Sequence, residues 1–329
     1  MTIDVQIHHQ MKAMFVIYTA GCNSRCVTCD YWLDEDQTGM PNDALLGVIT
    51  EAWARGLQVV YFTGGEALLR AADLFELVDA LAVRCPSLSV HLLTNGVLLK
   101  KHAERIARSF SRVIVSMDAA DPGLYRRIRG LRAFALVTDG IAQLREVDPD
   151  LDIRLRTMVL PENVDSLPGI VRLAIALKVN RISFLAEDVS STIALGRDVL
   201  IAGSSGRSEM DRAVVATNLE SQIETIRAMK VTEADRQVLV TGLSDLERVL
   251  DIYSGRFQRT RCNAGLRSCV VDADGSVGPC FFIEASGSLI DASLGSVLTS
   301  VGHARVVESI LDGSRRECQD CVCPRFDEE

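Results

Sequence analysis

The chain has 329 residues, 48% of them hydrophobic and 24% charged, the composition of an ordinary globular protein large enough to bury one barrel-sized core and a small appendage. A formal net charge of -9 excludes a basic footprint for nucleic acid or for an anionic membrane surface, and no apolar run approaches the roughly 20 residues of a membrane span. The N-terminus is polar, unlike a secretory leader, so the expected compartment is the cytoplasm and the ten cysteines read as metal ligands and thiols rather than disulfides.

Strand and helix patterns alternate along the chain. An apolar strand is predicted over 13–18, and a loop carrying Cys22, Cys26 and Cys29 follows it directly. Pro41-Asn42-Asp43 signals a helix start before the amphipathic run 44–54, which Gly56 ends. Strand 59–63, helix 71–84, strand 89–94, helix 98–109 and strand 112–117 come next. A helix over 125–146, broken near Gly130, leads to strand 153–159, helix 167–177 and strand 181–185. Six strand-helix units predict an α/β fold with a parallel sheet and active residues in the loops at the C-terminal strand ends.

Polar groups gather at those ends. Three thiolates within eight residues can grip one inorganic core, and because a four-iron cube normally takes four, three leave one iron open. A partial zinc site or the cluster loop of an electron carrier would use the same residues. After the second strand comes Thr63-Gly64-Gly65-Glu66, where glycines admit close approach to the backbone and a carboxylate can accept from an ammonium group. Thr94-Asn95-Gly96 ends the third strand, Ser116-Met117-Asp118 ends the fourth, and Arg129 follows shortly after. Glu187 and Asp188, past the sixth strand, could meet substrate hydroxyls or amines, or serve as surface caps.

The CxxxCxxC loop, the Gly-Gly-Glu turn and the later strand ends together resemble the radical S-adenosylmethionine (SAM) superfamily. That resemblance implies a partial (β/α)6 TIM barrel and a [4Fe-4S] cluster on Cys22, Cys26 and Cys29 with SAM on the open iron. It further implies reductive cleavage to a 5'-deoxyadenosyl radical that removes a hydrogen atom from a substrate. By the same resemblance Gly64, Gly65 and Glu66 hold the SAM amino group, Asn95 points to the barrel mouth, Ser116 and Asp118 contact the methionine or ribose part, and Arg129 pairs with the SAM carboxylate. Thr28 stands where the superfamily commonly has an aromatic residue, and Tyr31 and Trp32 are the aromatics that could cover the cluster instead.

Beyond a mainly helical connecting region, the cysteines return as Cys262, Cys269, Cys280, Cys318, Cys321 and Cys323. The alternating run from Val270 to Val277, with Asp274-Gly275 as its turn, predicts a hairpin that brings Cys262 and Cys280 toward one metal. Cys262, Gly275 and Cys280 resemble the C-x(9-15)-G-x4-C signature of SPASM and twitch domains. The shorter twitch form implies one auxiliary [4Fe-4S] cluster on Cys262, Cys280, Cys318 and Cys321, with structural zinc as the alternative. The expected division is a barrel at 11–190, a helical connection at 191–254 and a twitch-type iron-sulfur domain at 255–329.

The resemblance implies a small-molecule substrate, such as a sugar, aminocyclitol or related natural-product intermediate, that is oxidised or epimerised. A reducing donor such as flavodoxin or ferredoxin supplies the electron. An epimerase would need a thiol, Cys269 or Cys323, to return hydrogen to the substrate. Peptide modification and a non-catalytic electron carrier are the competing readings. Cys85 reads as a buried, unreactive thiol.

Overall fold

The computed structural model describes residues 11–33, 38–188, 191, 193, 209–233, 235–257, 262–319 and 321–323. Its first half repeats strand and helix: β1 (Ala13–Thr19), α1 (Asn42–Ala54), β2 (Val59–Gly64), α2 (Ala71–Arg84), β3 (Ser89–Thr94), α3 (Leu99–Ser109) and β4 (Arg112–Ser116). Then come α4 (Pro122–Arg129), α5 (Phe134–Val147), β5 (Asp152–Val159), α6 (Leu167–Ala176) and β6 (Arg181–Ala186). The break expected near Gly130 divides the helical stretch over 125–146 into α4 and α5. Gly130 takes the left-handed conformation at φ 72° and ends α4 with its N–H on the Arg126 carbonyl, a conformation that favours glycine.

The sheet is open, in the order β6-β5-β4-β3-β2-β1-β7-β8-β9, and β1 to β6 run parallel. It forms a parallel-stranded α/β partial barrel rather than a closed one. Register defines its two faces, because paired residues of neighbouring strands share a side. On the inner face one row reads Phe15, Tyr61, His91, Arg112, Asp152, and a higher row reads Ser116, Arg156, Ser183. Phe15 stacks on Tyr61 with ring centroids 4.6 Å apart and meets Phe281 edge-on at 5.2 Å. These rings, with Ala13, Ile17, Ile114 and Val270, form an apolar inner cluster separate from the main core between sheet and helices.

The edge strand β6 is covered, not bare. Of α7 (Glu209–Arg227) and α8 (Arg236–Tyr253), the second lies along it. Asp245 accepts the Phe184 N–H at 3.0 Å, and Tyr253 accepts the Glu187 N–H at 2.7 Å while donating to the Val159 carbonyl at 2.8 Å. Side chains thus replace a further strand at the edge. The irregular part expected before these helices, 194–208, lies outside the described residues.

The C-terminal segment supplies β7 (Ser268–Val271), β8 (Ser276–Gly278), β9 (Gly287–Ser288), α9 (Leu294–Leu298), α10 (Val301–Leu311) and α11 (Arg316–Gln319). β7 and β8 form the expected antiparallel hairpin, with Gly275 at φ 86° in its turn. What periodicity did not reveal is that β7 pairs in parallel with β1, so the hairpin extends the barrel sheet. Buried His303 ties this segment together, bonding Ser286 Oγ at 2.7 Å and reaching the Gly265 carbonyl at 3.4 Å.

Candidate functional site

The cysteine loop is fixed by its neighbours rather than by regular structure of its own. Arg25 and Val27 donate their backbone N–H groups to the Arg129 and Ile128 carbonyls at 3.2 and 3.0 Å, using acceptors that the end of α4 leaves open. The Cys26 thiol lies 3.9 Å from the same Arg129 carbonyl. From the other side, Gly65 N–H donates to Thr19 O and Glu66 N–H to Gly21 O, each at 2.8 Å. A Cβ on Gly65 would stand 2.2 Å from Gly21 O and 2.3 Å from Ala20 O, and Gly64 has φ 121°. The close approach that these glycines permit is therefore to the cysteine loop itself.

Glu66 is almost wholly buried and its carboxylate is filled by protein donors. Leu68 N–H and the Thr94 hydroxyl reach Oε1 at 3.1 and 2.8 Å, and Asn95 N–H reaches Oε2 at 2.7 Å. Burial pushes its carboxyl above the usual range, opposed by these bonds. Asn95 continues the chain of contacts, donating its side-chain amide to Asn23 Oδ1 at 2.6 Å and Ser24 Oγ at 3.1 Å. Sequence reasoning missed Asn23 and Ser24, whose roles depend on a residue more than seventy positions away.

Arg129 and Asp118, the residues that the resemblance assigns to the SAM carboxylate and to its methionine or ribose part, bind each other, Nη1 to Oδ2 at 3.0 Å, with both side chains largely buried. The other Asp118 oxygen accepts Met158 N–H at 2.8 Å. Ser116 stays half-buried on the inner face. Glu187 and Asp188 are buried past β6, Asp188 accepting the Ser191 N–H at 3.3 Å. Tyr31 packs against the apolar inner cluster, and the Trp32 ring lies under the Arg25 guanidinium at 5.7 Å.

Several thiols share one local geometry. The amide two residues onward donates to the sulfur at 3.4 Å in Cys22 (from Ser24), Cys262 (from Ala264) and Cys321 (from Cys323). Tyr31 and Phe282 serve Cys29 and Cys280 in the same way. Such donors favour thiolate, whereas burial raises the Cys22 thiol and pushes Cys29 and Cys280 up to about 12. A positive core would have to supply the rest of the stabilisation, and for an iron-sulfur group this donor set fits. Cys262, Cys280 and Cys318 lie in one small cluster with Ile283 and Ile310. Cys323 is close enough to feel the charges of Cys321, Cys280 and Cys262. Among the described residues, no three His, Cys, Asp or Glu converge as ligands of a single metal ion.

Cys269 stands apart. It is fully buried on the outer face of β7, registered with Met14 and 3.6 Å from Met11 Sδ, so this candidate hydrogen donor faces the helix-side core rather than the inner face. Cys85 is likewise buried, 3.8 Å from Thr50 Oγ1. The inner face adds Arg156, which the alternation of β5 could have revealed. It shares a row with Ser116, and its charge opposes the upward push on Cys323. β5 and β7 are five strand spacings apart, about 24 Å in a flat sheet, so Cys323 comes within electrostatic reach of Arg156 through the curl of the sheet.

Residues 16–174 match the family model of the radical SAM superfamily. The GTP 3',8-cyclase of Xanthomonas axonopodis pv. citri (strain 306) is 37% identical over 131 residues, which cover 37% of this chain and 39% of that protein. The chain spans between about a third and just over half of the length of the first curated relatives it matches. Among solved structures, native anSMEcpe with bound AdoMet has a TM-score of 0.66 at 17% identity, covering 94% of this chain and 86% of that one. SuiB of Streptococcus suis bound to S-adenosylmethionine has 0.66 at 15%, covering 95% and 72%. At these identities the structural likeness is one of fold. Among the described residues no helix is long and apolar enough to cross a membrane. The match over residues 16–174, carried on this partial barrel, identifies that segment as a radical SAM domain, a family that implies a [4Fe-4S] cluster and SAM.

Proposed function

We propose that the chain is a twitch-type radical SAM enzyme that takes a hydrogen atom from a small molecule held on the inner face of the barrel and oxidises it. Cys22, Cys26 and Cys29 would hold the SAM-binding cluster, and Cys262, Cys280, Cys318 and Cys321 an auxiliary one. Bound there, the first group supplies one-electron cleavage of SAM to a 5'-deoxyadenosyl radical, and the second a sink for the electron left on the substrate. The observation that supports the reading is the gathering of Cys262, Cys280 and Cys318 in one small cluster, with Cys323 within electrostatic reach of them and of Arg156 on the inner row.

The chain's own groups have distinct tasks in this reading. Asn95 and the end of α4 hold the cysteine loop in place. Ser116, Arg156 and Ser183, on one inward row, offer hydrogen-bond donors for substrate hydroxyl or acidic groups. Epimerisation would require a thiol to return hydrogen; Cys269 faces the wrong side of the sheet, which leaves Cys323. A relative named for a nucleotide substrate, the GTP 3',8-cyclase, supports a small molecule ahead of a peptide. Flavodoxin or ferredoxin is the proposed donor.

Iron and labile sulfide per chain after anaerobic reconstitution test this. The expected result is about eight irons, falling to about four when Cys22, Cys26 and Cys29 all become Ala, with 5'-deoxyadenosine formed from SAM only by the unmodified protein. Zinc at the C-terminal thiols would remove the auxiliary cluster, and absence of 5'-deoxyadenosine under strong reduction would leave an electron carrier.

A further inference from the structure

Two buried donors beside the cysteine loop have no acceptor for their protons among the described residues. The Tyr125 hydroxyl and the Arg129 Nε have no hydrogen-bond partner among the described residues. Tyr125 is fully buried, and the Arg129 side chain is 11% exposed. Buried polar atoms are paired in the great majority of cases, and each exception calls for an explanation such as a missing ion. Their positions supply one. The residues lie four apart on α4 and so share a face, the helix whose last carbonyls bind Arg25 and Val27 of the loop and approach the Cys26 thiol. The charge of Cys26 bears on both side chains.

Their chemistry is one-sided. The Arg129 guanidinium lies beside the Tyr125 hydroxyl, but arginine can only donate, so it leaves the hydroxyl hydrogen without an acceptor. Asp118 takes Nη1 but does not reach Nε. Burial raises the Tyr125 hydroxyl, so it keeps its proton. Two fixed donors and a guanidinium charge thus lie within electrostatic reach of the Cys26 thiol. An anionic, sulfur-rich group would satisfy all three.

We propose that the Tyr125 O–H and the Arg129 Nε–H donate hydrogen bonds to the sulfur of the iron-sulfur group on Cys22, Cys26 and Cys29, raising its reduction potential and retaining it. This rests on the reading that those cysteines hold the cluster. Hydrogen bonds to sulfur and local charge are among the quantities that set such potentials. Tyr125 and Arg129 are therefore positioning residues for the cluster, acting without contact to substrate.

The test is Tyr125→Phe, which keeps the ring and its edge contact with Phe134 at 5.8 Å. Two readouts should move in opposite directions. In apoprotein, removing an unpaired buried donor should leave the urea midpoint unchanged or raise it. In the reconstituted protein, the midpoint potential measured by EPR-monitored titration should fall, and iron should be lost faster to a chelator. Arg129→Lys, which keeps the charge but lacks Nε–H, should lower the potential in the same direction. Equal potentials and chelation rates in Tyr125→Phe and the unmodified protein would overturn the proposal, as would a lower apoprotein midpoint with no change in potential. Failure of the unmodified protein to take up a cluster on this loop would instead remove the underlying reading.

Discussion

The Glu66 carboxylate accepts the Asn95 N–H at 2.7 Å, and Asn95 passes its side-chain amide to Asn23 at 2.6 Å. One buried acid thereby ties the ends of β2 and β3 to the cysteine loop. Glu66→Ala would strand the Thr94 hydroxyl and the Leu68 and Asn95 amides. An unsatisfied buried donor costs about 1–3 kcal/mol, so the expected loss exceeds the cost of a single donor. Urea denaturation of apoprotein measures it; an unchanged midpoint would show that water replaces the carboxylate.

Gly65→Ala acts on the same junction by volume. Its methyl group would meet the Ala20 and Gly21 carbonyls at 2.3 and 2.2 Å, and backbone cannot yield as a flexible side chain does. The β2 loop should be driven off the cysteine loop while the sheet persists. Iron at the first site should fall by more than half, with far-UV circular dichroism preserved. Full iron retention would mean that the two loops can separate without cost to the thiols.

Cysteine replacements should sort by facing and surroundings. Cys269→Ala, in the helix-side core, should leave iron content unchanged and cost stability only through a small cavity. Cys280→Ala should remove about four irons if a second cube sits there. Iron analysis of the two variants side by side checks this, and loss of iron from Cys269→Ala would contradict the assignment of its face.

Asp152 gives a pH dependence with a definite sign. Burial raises its pKa, but hydrogen bonds from Arg154 and Arg112 outweigh burial and hold it below 3.8. A depressed folded pKa contributes stability that is present above the unfolded value and lost as pH falls through the folded one. The unmodified protein should therefore lose more stability than Asp152→Asn as pH drops below about 4. Parallel urea midpoints for the two proteins across that window would show that the Arg112 and Arg154 bonds add nothing.

Much of this protein is legible residue by residue. The strands and helices through 186 follow local periodicity, and α2 and β3 fall on their predicted bounds, because hydrophobic period and helix-stop signals are short-range properties. The CxxxCxxC spacing and its place after β1 are local too, as is the break at Gly130. Partner choice is not local. Nothing near Arg129 announces Asp118, nothing near Asn95 announces Asn23, and the pairing of β7 with β1 joins positions over 250 residues apart. Register then decides function through facing: it turns Cys269 into the core and brings Arg156 level with Ser116. The sequence by itself determined the order of elements and the kind of chemistry, since both reside in short segments. Only the tertiary structure decided which polar groups hold the loops and which remain for a ligand, because hydrogen bonds are satisfied by whatever the folded chain brings within reach.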